Sequence, residues 1–140
     1  MDNKQKIVMV FGVFDILHDG HRHFLRESKK LGGQLIAVLP SDLSVKELKG
    51  RPPLHTLSER IKNLEREGLA DKIISGDEVL ESWGIIDSIR PDIIALGYDQ
   101  KKLAEALMRH VGKLSSKIEI VIVTPHTDTS LHSEALRKKM

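Results

Sequence analysis

The chain has 140 residues, 40% of them hydrophobic and 30% charged, with a net charge of +2 and no cysteine. This length suits one domain with its own core, so a single domain over residues 1–140 is expected. Disulfides, thiolate metal sites and cysteine nucleophiles are excluded, bulk charge gives no argument for a nucleic-acid partner, and no apolar run reaches the roughly 18 residues of a membrane span.

Residues 1–5 are polar and carry no signal-peptide core, so a cytoplasmic location is expected. Apolar runs at 7–11, 35–39, 72–75, 92–96 and 118–123 are rich in Val and Ile and mostly continuous. Such runs read as strands covered on both faces, as in a parallel sheet. Helical segments lie between them. The first, 19–31, stops at Gly32-Gly33. A basic loop with Lys46, Lys49 and Arg51 is expected after the second strand. The helix at 56–67 opens on Thr56 and Glu59, a capping-box spacing, and ends at Gly68. Helices at 81–90 and 101–111 stop before Pro91 and at Gly112, and a last one runs from about Ser133. This alternation predicts an α/β fold: a Rossmann-like, doubly wound, five-stranded parallel sheet. Ligands of such sheets bind beyond the carboxyl ends of the strands, at the switch point.

The stretch from Val8 to His21 is the most specific part of the chain. It reads as a buried strand, a glycine turn, and two histidines three apart at the start of a helix. Gly12 lacks a Cβ, so backbone can approach a ligand there. A helix N-terminus attracts anions through its unpaired N–H groups and its dipole. His18 and His21, at i and i+3, can face the same phosphate. His23 breaks that spacing and reads as a bystander. A zinc site on the three histidines has no supporting carboxylate spacing. Asp15 reads as a turn-forming residue or a support for the loop.

The residues Gly12-Val13-Phe14-Asp15-Ile16-Leu17-His18-Asp19-Gly20-His21 resemble the G-T-F-D-x-x-H-x-G-H signature of the cytidylyltransferase-like nucleotidyltransferases. Lys49-Gly50-Arg51-Pro52-Pro53, Ser58-Glu59-Arg60 and Leu96-Gly97-Tyr98-Asp99-Gln100 follow in family order, so the likeness runs from about Lys6 to about Leu136. The Gly-Tyr-Asp-Gln segment most resembles archaeal FAD synthases, which adenylylate FMN. Glycerol-3-phosphate cytidylyltransferases are the nearest relatives of that group.

The resemblance implies roles residue by residue. His18 and His21 contact nucleotide phosphates and stabilise the transition state, with Asp19 and Gly20 in the same nucleotide-binding loop. Val13 stands where the family has threonine, so only a backbone contact carries over, and Phe14 packs, beside the base. Lys49 and Arg51 match basic residues that contact acceptor phosphate and triphosphate. Arg60 matches a family arginine that reaches the site; its other reading is an exposed helix arginine paired to Glu65 or Glu67. Asp99 contacts the nucleotide and Gly97 lies near the base, while Tyr98 either stacks on a ring or packs. The C-terminal match is weaker: the family's Arg and Gly are missing, and Thr129, Ser130 and Ser133 are the phosphate-binding candidates.

The implied reaction is ATP plus FMN giving FAD and pyrophosphate. A divalent cation, Mg²⁺, is expected on the ATP phosphates, with no metal site of the protein's own. The alternatives are a CTP-dependent glycerol-3-phosphate cytidylyltransferase and, in another class, a non-catalytic nucleotide sensor. Dimers are common among similar enzymes, so a homodimer is an open expectation.

Overall fold

The computed structural model describes residues 6–76, 84–112 and 117–124. In chain order the elements are β1 (Lys6–Phe11), α1 (Asp19–Lys30), β2 (Gly33–Leu39), α2 (Asp42–Lys49), α3 (Leu57–Glu67), β3 (Lys72–Ser75), α4 (Gly84–Ile89), β4 (Ile93–Gly97), α5 (Lys101–Val111) and β5 (Glu119–Val123). The five strands form one parallel sheet in the order β3-β2-β1-β4-β5. The expected doubly wound sheet is therefore present.

Alternation along the strands divides the core between the two faces. Val8 and Val10 of β1 pack with Leu25 of α1 and Leu64 of α3. Met9, between them, packs with Ile86 of α4 and Leu107 of α5. Both faces are covered, which is why the strands read as continuous apolar runs. The chain winds outward from β1 to β3, then crosses through α4 to return beside β1 as β4. That reversal makes the β1–β4 junction the topological switch point.

At this junction the ladder runs from Val8↔Ile93 to Val10↔Ala95. On their outer sides the same strands stay paired further, to Phe11↔Val38 and Gly97↔Val123. Beyond Val10 and Ala95 the carboxyl ends of β1 and β4 are thus no longer paired to one another in the ladder.

The capping box expected at Thr56 is formed: Glu59 N–H donates to Thr56 Oγ1 at 3.2 Å, and Thr56 N–H donates to Glu59 Oε1 at 2.9 Å. The stretch after β2 corrects the sequence expectation. Residues 42–49 are a helix rather than a loop. Ser41 caps it, accepting from Ser44 N–H at 3.1 Å, and Gly50 ends it in the left-handed region at φ 78°. Val45 and Ser44 are its buried anchors. Residues 81–83 of the expected fourth helix and the expected final helix lie outside the described residues. No helix among the described residues is long and apolar enough to cross a membrane.

Candidate active site

The turn after β1 is built around its own aromatic side chain. Phe14 sits at φ 51°, a left-handed conformation uncommon for a bulky residue. Its ring is buried, and a Cβ on Gly12 would lie 2.6 Å from Phe14 Cε2. Gly12 is therefore required by the fold of the turn itself, not only by the approach of a ligand. The Phe14 ring also meets the His21 ring edge-on, with centroids 5.3 Å apart. Phe14 thus packs, as expected, and supports a histidine.

His18 is the N-cap of α1 and His21 is its third helical residue. Gly20 N–H donates to His18 Nδ1 at 3.1 Å, and His18 N–H donates to His21 Nδ1 at 3.3 Å. The pair reproduces capping-box logic with imidazoles in place of hydroxyl and carboxylate. The two rings stack, centroids 3.9 Å apart. Because each Nδ1 accepts, the ring hydrogen of each stands on Nε2. A Cβ on Gly20 would lie 2.9 Å from His18 Cε1, so Gly20 makes room for the folded-over ring. Burial lowers the pKa of His21; the neighbouring His18, Arg22 and Lys49 lower it further, and Asp99 opposes them. His21 is thereby kept neutral, as an Nε2–H donor. Asp19 is fully exposed in the first turn, its carboxylate 3.0 Å from Arg22 Nη1. Arg22 is held on its other side by Glu67 at 2.9 Å.

Two hydrogen-bonded clusters hold this turn against its neighbours. Asp15 accepts from Leu54 N–H at 2.7 Å and His55 N–H at 2.9 Å. The His55 ring Nδ1 lies 2.9 Å from the Asp15 carbonyl. Burial pushes the Asp15 carboxyl up, but these N–H groups and the His55 ring outweigh it and hold it below its usual value. Asp15 therefore ties the turn to the chain entering α3, consistent with a supporting role.

Arg60 is fully buried. Its guanidinium donates to the carbonyls of His55 at 3.1 Å, Val13 at 3.2 Å and Pro40 at 2.9 Å, and to the Asp42 carboxylate at 2.8 Å. It is not an exposed arginine paired to Glu65 or Glu67. It clamps the β1 turn, the end of β2 and the start of α2 together, and most of its donors are used within the protein.

Lys49 is the last residue of α2 and Arg51 lies just past its end; both are exposed. The Lys49 charge acts on His21 from that side, and the Asp99 charge acts from the turn after β4. The structure thus brings the charges of Lys49 and Asp99 within electrostatic reach of His21, which stacks on His18. Tyr98 is 63% exposed, so its ring is open to stacking rather than packed in the core. A Cβ on Gly97 would sit 3.0 Å from Asp99 Oδ1. Thr129, Ser130 and Ser133 lie outside the described residues. His23 does not join the histidine pair; its Nε2 is hydrogen-bonded to the Thr124 carbonyl at 3.2 Å, linking α1 to the end of β5.

Sequence reasoning missed His55, Asp42 and the part played by Gln100. Gln100 bridges the two central strands, with Nε2 2.9 Å from Phe11 O and Oε1 2.8 Å from Gly97 N. Its place in the Gly-Tyr-Asp-Gln segment was the available signal; for the Arg60–Asp42 pair, 18 residues apart, there was none.

The chain is 39% identical over 122 residues to an FAD synthase of Thermococcus sibiricus, covering 86% of this chain and 82% of that one. It is 37% identical over 133 residues to an FAD synthase of Thermoplasma volcanium, covering 95% and 92%. A crystal structure described as a lipopolysaccharide core biosynthesis protein from Thermoplasma volcanium superposes with a TM-score of 0.77 at 37% identity, over 85% of this chain and 96% of that one. The pattern of the cytidylyltransferase-like proteins matches residues 9–139, taking in the histidine turn, the basic end of α2 and the Gly97–Gln100 turn. With the sheet order, the paired histidines and that match in agreement, this chain belongs to the cytidylyltransferase-like family.

Proposed function

We propose that this chain is a nucleotidyltransferase that transfers AMP from ATP to FMN, forming FAD and releasing pyrophosphate. The observation that carries the chemistry is the stacked histidine pair, whose Nδ1 atoms are engaged by backbone and whose Nε2–H groups remain as donors. The choice of ATP and FMN is supported by the relatives named FAD synthase over most of the chain.

In this reaction an oxygen of the FMN phosphate attacks the α-phosphorus of ATP. The new P–O bond forms as the bond to the β-bridging oxygen breaks, and pyrophosphate leaves with the electron pair. The nucleophile is already anionic at neutral pH, so the protein needs no strong base. Its task is to position the groups and to donate hydrogen bonds where charge builds. His18 and His21 donate to the α-phosphate region. Lys49 and Arg51 offset the repulsion between the two phosphorylated substrates. Gly12, Val13 and Phe14 form the floor under the nucleotide, with Gly97, Tyr98 and Asp99 on the other wall. Arg60 acts through the loops that it clamps. Mg²⁺ would arrive on the triphosphate oxygens and offset their charge. Among the described residues no group of three or more His, Cys, Asp or Glu side chains is placed to hold a metal ion.

Pyrophosphate release with Mg²⁺, crossing ATP and CTP against FMN and glycerol-3-phosphate, tests the reading. Turnover is expected with ATP and FMN. Turnover confined to CTP and glycerol-3-phosphate would overturn the substrate assignment and keep the mechanism. Nucleotide binding without turnover on any acceptor would favour a sensor.

A further inference from the structure

Gln100 occupies the N-cap of α5, yet its side chain makes no capping hydrogen bond. Short polar residues are preferred at that position because they satisfy the first N–H groups of the helix. The Gln100 amide instead turns back to the sheet, donating to the Phe11 carbonyl and accepting from Gly97 N–H. Phe11 and Gly97 are the last residues of β1 and β4, and the ladder between those strands has already ended at Val10↔Ala95. One planar group with one donor and one acceptor thus stands where a peptide-to-peptide bond would close the strand ends. A direct bond would bring carbonyl and N–H to about 2.9 Å. With an amide between them they stand apart by two hydrogen bonds and the width of the amide.

The geometry points to Gln100 as a positioning residue: its amide wedges the ends of β1 and β4 apart and sets the width of the crevice that receives the nucleotide. The wedge acts through Phe11 and Gly97, which hand the chain on to the Gly12–Phe14 turn and to Asp99. This inference rests on the nucleotide-binding reading above.

Two substitutions of similar size test it on the intact chain. Gln100→Leu removes both bonds and lets the strand ends pair directly. Gln100→Glu keeps the acceptor but sets a carboxylate oxygen against the Phe11 carbonyl; protonation in acid restores an O–H donor. ATP affinity, by equilibrium dialysis with Mg²⁺, and the KM for ATP are measured for both variants and the wild type from pH 8 to pH 5. The expected result for Gln100→Leu is ATP binding weakened about tenfold or more, with KM rising more than kcat falls. For Gln100→Glu the expected result is a similar deficit at pH 8 that shrinks, relative to wild type at the same pH, as the pH falls. Affinities within about twofold of wild type at every pH would overturn the wedge. So would a Gln100→Glu deficit that is the same at all pH values, which decides the matter even if Gln100→Leu does not fold. Should the wild type bind CTP in place of ATP, the substrate reading falls while the same comparison made with CTP still judges the wedge. A folded wild type that binds neither nucleotide overturns both.

Discussion

His18 and His21 each do two jobs with one ring. Nδ1 accepts a backbone N–H and caps α1, and in the proposed reaction Nε2–H donates to the nucleotide. On the proposed mechanism, alanine at either position removes a cap, worth about 1 kcal/mol, together with a transition-state donor, worth about 100-fold or more in rate. His18→Asn separates the two, because the short amide caps a helix well but offers no donor at the Nε2 position. It is expected to melt near the wild-type temperature and to lose about 100-fold or more in kcat/KM. Near-normal turnover in that variant would remove His18 from the catalytic machinery. His21 adds a pH dependence. Burial holds its pKa below the ordinary 6.5, so the neutral form, the donor in the proposed reaction, persists somewhat below that pH. The acid limb of kcat/KM should have a midpoint under 6.5 in the wild type and be displaced in His21→Gln.

Arg60 shows how α3 holds the loops beside the histidine turn. Its side chain is fully buried and binds three carbonyls and Asp42. Removing it leaves buried acceptors without donors, and such groups are costly. Arg60→Met is expected to lower unfolding free energy by about 3 kcal/mol or more in urea titrations. Arg60→Lys should recover only part of this, since one ammonium cannot span four acceptors. A loss under about 1 kcal/mol for Arg60→Met would mean that these loops hold themselves. The same scale explains the missed helix α2. Its Ser41 cap and Gly50 stop are written in the sequence, but eight residues with a mostly exposed surface carry a weak period.

Across the whole molecule, acid stability follows from several carboxylates held below their usual pKa. Asp15 is lowered by Leu54, His55 and the His55 ring against the opposing effect of burial, Glu67 by Arg22, and Asp71 by Lys29 and the Leu35 N–H. A depressed carboxylate contributes stability above its unfolded value, here 3.8 or 4.5, and that contribution is lost as pH falls through the folded value. His21 works in the same direction at higher pH: the unfolded chain takes up its proton near 6.5 and the folded one resists. The melting temperature should therefore be level above about pH 7, decline gently below about 6.5 and fall more steeply below about 4.5. In Asp15→Asn the steep part should be shallower. A curve that stays flat to pH 3 would contradict these assignments.

The alternation of apolar runs and stop signals determined the doubly wound sheet, because each strand's burial on both faces is recorded in its own residues. The Gly12–His21 segment likewise pointed to phosphate chemistry through its resemblance to the family signature, since a glycine turn and two histidines three apart are local features. Tertiary structure alone decided what holds that segment. The Gln100 amide meets Phe11 from 89 residues away, Arg60 meets Val13 from 47 away, and Asp15 meets His55 from 40 away. These bonds leave no period or spacing in the chain. They exist because the crossover through α4 sets β4 beside β1, and because α3 packs against the turn that leads to the histidines.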